Sequence, residues 1–185
     1  MTIKKRFVII GISFIVLAAT ILAVYLFLFL LKHYINNKQG ETLNKGNLSS
    51  IYETNTLFIP KIGVKIEIVE GSDESTLDKG AWRMPQTSTP DKGGNTVLSA
   101  HRWKYLPPSE ETFYLLDKLG QGDEFQVIWE KKQYNYKVVS VSIVLPTDLS
   151  VLDPTENPSV TLLTCHPLFS TQKRLIVRGE LVSKE

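Results

Sequence analysis

The sequence of 185 residues contains one cysteine, Cys165. A disulfide within the chain is therefore excluded, and with it the paired-cysteine framework of many small secreted domains. A free cysteine is usually a small buried apolar side chain. If Cys165 is not such a core residue, it either links two copies of the chain or has a chemical role.

Acidic residues are missing from the first 35 positions. Residues 36–185 carry 17 basic and 19 acidic side chains, hence a formal charge of −2, although the whole chain has +2. The positive balance therefore comes from the N-terminal segment and does not indicate a nucleic-acid-binding surface.

Charge of either sign is missing from residues 7–31. At a rise of ~1.5 Å per residue, this run forms ~37 Å of helix, which exceeds the ~30 Å hydrocarbon core of a membrane. The apolar region of a cleaved signal peptide is shorter and ends at small residues, and a buried helix of a soluble domain would show a polar face. We predict a retained transmembrane anchor.

Basic residues set the expected orientation of that anchor. Three stand together at positions 4–6, and three more are spread over positions 32, 38 and 45. The positive-inside rule predicts a cytoplasmic N-terminus, residues 1–6, and a single pass through the plasma membrane. A polar linker over 32–54 would then hold an extracellular domain, residues 55–185, away from the membrane.

Short β-branched and aromatic runs dominate residues 55–185. The predicted strands are 57–59, 64–69, 80–84, 96–100, 124–129, 133–145, 160–165 and 174–178. Seven or eight strands at this spacing predict a mainly β fold, a closed or nearly closed barrel.

One α-helix is predicted over residues 109–119. It follows two prolines, and Phe113, Leu116 and Leu119 have the spacing of one buried helical face. Gly120 is a typical C-terminal stop.

Cys165 ends a buried strand, and Arg174 begins the next one after eight residues. If the two strands are antiparallel, the thiol and the guanidinium lie side by side. A fixed cation favours the thiolate, which is the reactive form of cysteine, and can stabilise an oxyanion. Arg102 and Arg178 are competing candidates for this cation.

His101 is the preferred base. It ends the predicted strand 96–100 and faces a loop, whereas His33 lies at the membrane edge. His166 follows Cys165 directly, and neighbouring side chains on a strand point to opposite faces. A Cys–His pair of this kind predicts nucleophilic catalysis.

Three motifs in this order resemble the sortases, cysteine transpeptidases of Gram-positive cell surfaces. Residues 163–165 read Leu-Thr-Cys, and Arg174 opens Arg-Leu-Ile-Val. Residues 95–102, NTVLSAHR, resemble the strand that ends in the family's histidine, and residues 145–153, LPTDLSVLD, resemble the loop before its cysteine strand. The resemblance covers about residues 57–182.

The resemblance implies an eight-stranded sortase β-barrel with short helices behind the membrane anchor. Cys165, His101 and Arg174 would be catalytic, cleaving an LPxTG-like sorting signal after Thr through a thioacyl-enzyme. A cell-wall peptidoglycan amine would resolve that intermediate. By similarity, Leu149, Val151 and Leu152 would contact the signal and Thr164 would support the site.

This sequence departs from the sortase pattern at several positions, and these departures narrow the predicted cofactor, function and sortase class. Ala100 stands where Gly is common, and residues 85–90 lack the carboxylates of a calcium site, so no metal or other cofactor is expected. The lid motif and C-terminal helix of pilin-polymerising sortases are absent, which disfavours that function. Residues 165–167 and Gly94-Asn95 favour class D or E over class A. A Cys–His hydrolase and a non-catalytic anchored binding barrel are two further candidate functions.

Overall fold

The computed structural model describes residues 20, 22–28, 53–104 and 109–185. The chain divides into two compact units, Met1–Leu48 and Ser49–Glu185. In the first unit, residues 20 and 22–28 are helical with exposed side chains. No helix among the described residues is both long and apolar enough to cross a membrane. Most of the predicted anchor, residues 7–31, and most of the predicted linker, residues 32–54, lie outside the described residues, and both stay predictions.

Eight strands form the second unit. They are β1 (Thr56–Ile59), β2 (Val64–Glu70), β3 (Ala81–Arg83), β4 (Asn95–Ser99), β5 (Glu124–Trp129), β6 (Lys132–Val144), β7 (Ser159–His166) and β8 (Lys173–Lys184). Four 3₁₀-helices connect them: η1 (Pro60–Ile62), η2 (Glu74–Asp78), η3 (Leu116–Lys118) and η4 (Leu149–Leu152).

The strands close into a barrel in the order β1-β2-β3-β4-β7-β8-β6-β5. The pairs β2–β3 and β4–β7 are parallel, and the other neighbours are antiparallel. Pairing of β1 with β5 closes the barrel. The mainly β, eight-stranded prediction is confirmed, and each predicted strand overlaps an observed one.

Alternating side chains build the core. In β2, Val64, Ile66 and Ile68 point inward while the residues between them are exposed. Across β5 and β6, Phe125 and Tyr136 stack with ring centroids 5.4 Å apart. Gly179 passes beside this pair, where an added Cβ would lie 2.5 Å from Phe125, so the position requires glycine.

The hairpin between β5 and β6 has a two-residue turn. Glu130 and Lys131 adopt φ of 49° and 66°, the left-handed values that such turns need to match the strand twist. Lys132 pairs directly with Trp129, so β6 begins immediately after the turn.

The α-helix predicted over 109–119 is wrong. This stretch forms turns and the short η3. Its backbone groups pair with the barrel: the Phe113 amide donates to the His101 carbonyl at 2.9 Å, and the Lys65 amide donates to the Glu110 carbonyl at 2.9 Å. Phe113, Leu116 and Leu119 are nevertheless buried in the core, as their spacing predicted.

Candidate functional site

An open cavity of about 620 Å³ lies at the ends of β4, β7 and β8. Cys165, His101 and Arg174 all line it. Its other walls are mostly apolar and include Leu77, Trp82, Met84, Val144, Leu149, Val151, Leu152 and Leu163. The structure thus brings the three predicted catalytic side chains to one cavity that also has apolar surface for a peptide.

Cys165 and Arg174 are direct partners across β7 and β8. The thiol is half-buried. One guanidinium nitrogen of Arg174, Nη1, donates to the carbonyl oxygens of Thr171 at 2.8 Å and Lys173 at 3.1 Å. These two bonds anchor the arginine to its own loop, and its other donors are free of the described hydrogen bonds, so they can meet a substrate oxygen.

His101 lies just beyond β4, which is parallel to β7. Because parallel neighbours end at the same edge, this brings the imidazole to the edge that carries Cys165. The ring is 38% exposed, and its Nε2 is 3.1 Å from Oδ1 of Asp78. Asp78 ends η2 and also accepts a hydrogen bond from Lys104 at 2.6 Å.

Hydrogen bonds lower the pKa of Asp78. The bond from the Lys104 side chain is the largest cause, and the bond from His101 comes next. The carboxylate therefore stays ionised at neutral pH and can only accept hydrogen bonds.

Arg102, one competing cation, is only 4% exposed. Its guanidinium donates to the Cys165 carbonyl at 3.2 Å, to Nδ1 of His166 at 3.0 Å and to the Asp117 carboxylate at 2.8 Å. Although Arg102 also lines the cavity, these contacts occupy its guanidinium within the protein, so it holds the end of β7.

The other competing cation and the other nearby histidine lie away from the cavity. Arg178 donates to the hydroxyl of Thr161 at 3.2 Å and does not line the cavity. His166 accepts its hydrogen bond from Arg102 and likewise does not line the cavity. The geometry thus favours Arg174 over Arg178 and His101 over His166.

The predicted substrate-binding residues lie around the same opening. The Thr164 hydroxyl is buried and donates to the Ala100 carbonyl at 2.8 Å, which joins the ends of β7 and β4. Leu149, Val151 and Leu152 belong to η4, which is capped by the Asp148 carboxylate through the Ser150 amide at 3.1 Å. Leu149 is the most exposed of the three, at 67%, and Val151 is buried.

Asn95 connects η4 to the barrel. It is 1% exposed, and its side-chain amide donates to the carbonyls of Val151 and Asp153 at 3.0 and 2.9 Å. Its side-chain oxygen accepts from Thr161 at 2.7 Å. Sequence analysis used Asn95 only as part of a motif and did not foresee this role.

Asp78 and the buried contacts of Arg102 were also missed. The one available signal for Asp78 was a carboxylate in a short polar segment before a predicted strand, which is too common to indicate a site. Concerning metals, the described residues contain no group of three or more His, Cys, Asp and Glu side chains able to hold an ion. The expected independence from calcium stays a prediction.

A family model of the sortase domain matches residues 57–182. This chain belongs to the sortase family. Sortases are cysteine transpeptidases that act on surface proteins of the LPxTG type and on cell-wall peptidoglycan. The fold and the family resemblance predicted from sequence are thereby confirmed, while the roles of individual site residues stay predictions.

Known sortases of several classes are similar to this one. It is 30% identical to sortase D of Bacillus subtilis (strain 168) over 151 residues, 80% of this chain and 70% of that protein. It is 35% identical to sortase SrtE1 of Streptomyces coelicolor over 144 residues, 69% of this chain but only 40% of that protein.

Solved sortase structures share the barrel. Sortase C1 of group B Streptococcus pilus island 1 superposes with a TM-score of 0.63 at 34% identity, covering 70% of this chain and 64% of that one. Sortase A of Listeria monocytogenes gives 0.62 at 25% identity, covering 71% and 88%.

Proposed function

We propose that this sortase is a membrane-anchored transpeptidase that cleaves an LPxTG-like sorting signal after Thr and joins the protein to a cell-wall peptidoglycan amine. The observation that carries the proposal is the pairing of Cys165 with Arg174 across two strands, in the cavity that His101 also lines. A nucleophile, a proton carrier and a fixed cation around one opening are what acyl transfer requires.

In the first half-reaction, Cys165 attacks the Thr carbonyl carbon as a thiolate while His101 holds the proton. Arg174 stabilises the oxyanion that develops on the carbonyl oxygen. The C–N bond then breaks, His101 gives its proton to the leaving amine, and a thioester remains on Cys165.

In the second half-reaction, an amine attacks the thioester. His101 takes the proton of the incoming amine, and the C–S bond breaks to release Cys165 as a thiolate, which restores the starting thiolate with the proton on His101. Water in place of the amine would give hydrolysis, so the choice between transferase and hydrolase depends on the acceptor.

The apolar wall provides a place for the sorting signal. Leu149 and Leu152 expose apolar surface beside the opening, and Val151, which is buried, also lines the cavity. We propose that these residues contact the Leu-Pro portion of the signal and that Thr164 keeps the cysteine strand aligned with His101. The N-terminal run 7–31 would hold the barrel at the outer face of the plasma membrane.

The test is covalent capture on the full-length chain in detergent. LPxTG- and LPxTA-type peptides are added with and without an amine, and intact-mass spectrometry detects the acyl-enzyme. We expect an adduct on Cys165, none in His101→Ala, and about 10²–10³-fold slower formation in Arg174→Ala. Arg178→Ala is the matched control, since that arginine lies outside the cavity. Chelation of calcium should leave the rate unchanged.

Failure to form an adduct with any peptide, together with a thiol that is alkylated only in denaturant, would leave a non-catalytic binding barrel. Adducts that turn over only to hydrolysed peptide with every amine would favour the Cys–His hydrolase.

Pilin polymerisation is the second candidate, because several similar solved structures are pilus-related sortases C at 34–38% identity. The acceptor amine separates the two functions. Transfer to a lysine side chain of a pilin-type protein, and not to peptidoglycan amines, would favour polymerisation.

A further inference from the structure

The Asp78 carboxylate reaches the candidate site from a different part of the fold. It ends η2, 23 residues before His101, and its Oδ1 lies 3.1 Å from the imidazole Nε2. The same oxygen accepts a hydrogen bond from Lys104 Nζ at 2.6 Å. Lys104 thus fixes the carboxylate oxygen that faces the ring.

The ionised state of Asp78 bears on which ring nitrogen of His101 carries the proton. The hydrogen bonds from Lys104 and His101 lower its pKa, so it remains ionised at and below neutral pH. An ionised carboxylate has no proton to donate, so the proton of the shared hydrogen bond belongs to Nε2. In a neutral imidazole, Nδ1 is then the nitrogen without a proton.

We propose that Asp78 is a positioning residue that holds His101 as the Nε2–H tautomer and leaves Nδ1 to exchange protons at Cys165. The inference rests on the proposed transpeptidation and adds the atom through which the proton moves. Nδ1 takes the thiol proton, giving a thiolate and an imidazolium that still donates Nε2–H to Asp78. The Nδ1 proton then passes to the leaving amine as the C–N bond breaks, and the ring returns to its starting tautomer.

Other charged groups line the same two cavities as the His101 ring. A cavity of about 110 Å³ behind His101 is lined by Glu67, Lys79 and Glu111 as well as by Asp78 and Lys104. The main cavity adds Glu74, Arg102, Asp148, Cys165 and Arg174. The described hydrogen bond of the His101 ring is the one with Asp78. An acceptor that faces only one ring nitrogen keeps the proton of the neutral imidazole on that nitrogen, and the ring then has a single tautomer.

The pair contributes little to stability. The side chain of Asp78 is 62% exposed and that of His101 is 38% exposed, and ion pairs in such positions are weak. Variants at Asp78 should therefore fold, and a loss of rate in them reports on the site. Thermal unfolding within a few degrees of the wild type checks this point.

The experiment uses the full-length chain in detergent with ¹⁵N-labelled histidine. The chain has three histidines, and His101→Gln identifies the His101 signals. Two-bond ¹⁵N–¹H spectra recorded at a series of pH values distinguish the two tautomers of the neutral ring. We expect Nε2–H alone in the wild type and a mixture of tautomers in Asp78→Leu. Glu74→Leu, which removes another carboxylate of η2, should leave the tautomer unchanged.

The kinetic arm measures acyl-enzyme formation. Loss of a partner that orients a reacting side chain through a hydrogen bond commonly lowers activity by about 10–100-fold. We expect a fall of about this size in the rate constant for Asp78→Leu, with little change in KM for the peptide. Asp78→Asn keeps an acceptor oxygen for Nε2–H and should recover most of the rate.

An unchanged tautomer and an unchanged rate in Asp78→Leu would overturn the inference. So would equal losses in the Asn and Leu variants, because the retained oxygen would then have no effect. A wild-type chain that forms no acyl-enzyme but changes tautomer in Asp78→Leu would refute the proposed function while leaving the positioning of His101 intact.

Discussion

Arg102 ties the end of strand β7 to the loop that follows His101. Its guanidinium reaches the Cys165 carbonyl, the His166 ring, the Tyr114 carbonyl and the Asp117 carboxylate. Burial opposes ionisation of Asp117, but hydrogen bonding from Lys118 and the charge of Arg102 outweigh it and lower the pKa of the carboxyl. The nucleophile's own backbone is thus held by a side chain whose donors are taken up by protein acceptors.

Replacing Arg102 by Met should therefore affect both stability and activity. Removal of the buried guanidinium leaves four partly exposed acceptors without their donor, which costs about 2–4 kcal/mol of the free energy of unfolding. Urea titration measures this, with tryptophan fluorescence as the signal because all three tryptophans lie between residues 82 and 129. Acyl-enzyme formation should slow as the end of β7 loses its support.

Arg178→Met is the matched control. This substitution removes the one described hydrogen bond of the Arg178 side chain, to Thr161, and should lower the free energy of unfolding by only about 1 kcal/mol. Equal destabilisation of the two variants would contradict the role assigned to Arg102.

Among individual residues, sequence analysis identified the side chains proposed to contact substrate. It did not identify the side chains that hold these residues in place. Cys165, His101 and Arg174 stand at strand ends, a position that strand patterns can predict. Asp78 and Arg102 act through contacts across 23 and 63 residues of chain. Such contacts depend on how the strands are ordered in the barrel, which no local pattern specifies.

Among the elements, η4 has the clearest link to function. It carries the three apolar residues proposed to contact the sorting signal, yet it is a single 3₁₀ segment of four residues. Two hydrogen bonds from the buried Asn95 amide fasten its C-terminal half to β4. The shape of the apolar wall therefore depends on one side chain inside the barrel.

Replacing Asn95 by Ala should loosen η4. We expect KM for the sorting-signal peptide to rise about tenfold, while alkylation of Cys165 by a small reagent stays near its wild-type rate. Loss of the buried bonds should also lower the free energy of unfolding by about 1–3 kcal/mol. Steady-state kinetics over a range of peptide concentrations and a urea titration measure the two effects.

Asn135→Ala is a suitable control, because that amide makes its hydrogen bonds at the exposed end of β6 and β8. An Asn95→Ala enzyme with unchanged KM would show that η4 keeps its form without these bonds.

The secondary-structure elements show which structural features the local sequence pattern predicts and which it does not. Strands were predicted well because alternation and β-branched runs reflect burial on one face, as in β2. The segment 109–119 has helical spacing but is not an α-helix: its described internal backbone bonds join residues three apart, and the Phe113 amide and the Glu110 carbonyl bond to His101 and Lys65. Burial of Phe113, Leu116 and Leu119 was predictable from spacing, and the backbone path was not.

For the whole molecule, carboxylates that gain hydrogen bonds on folding determine the response to acid. The pKa is lowered for Asp73, Asp78, Asp91, Asp117 and Asp123. For Asp123, the hydrogen bond from Lys61 is the largest cause, followed by the bond from the Gly120 amide. Each group therefore binds protons more weakly in the folded chain than in the unfolded chain.

The sign of the pH dependence follows. Stability contributed by these groups is fully present above the ordinary aspartate pKa of about 3.9 and is lost as the pH falls through the lower folded values. We expect the free energy of unfolding of the barrel to decline below about pH 4 as these carboxylates are protonated.

Urea titrations at a series of pH values measure the slope of this decline. Asp123→Asn should make it shallower, because one such carboxylate is removed, whereas Glu156→Gln, at an exposed loop position, should leave it as in the wild type. An acid slope that is equally steep in wild type and Asp123→Asn would show that other groups govern acid unfolding of this sortase.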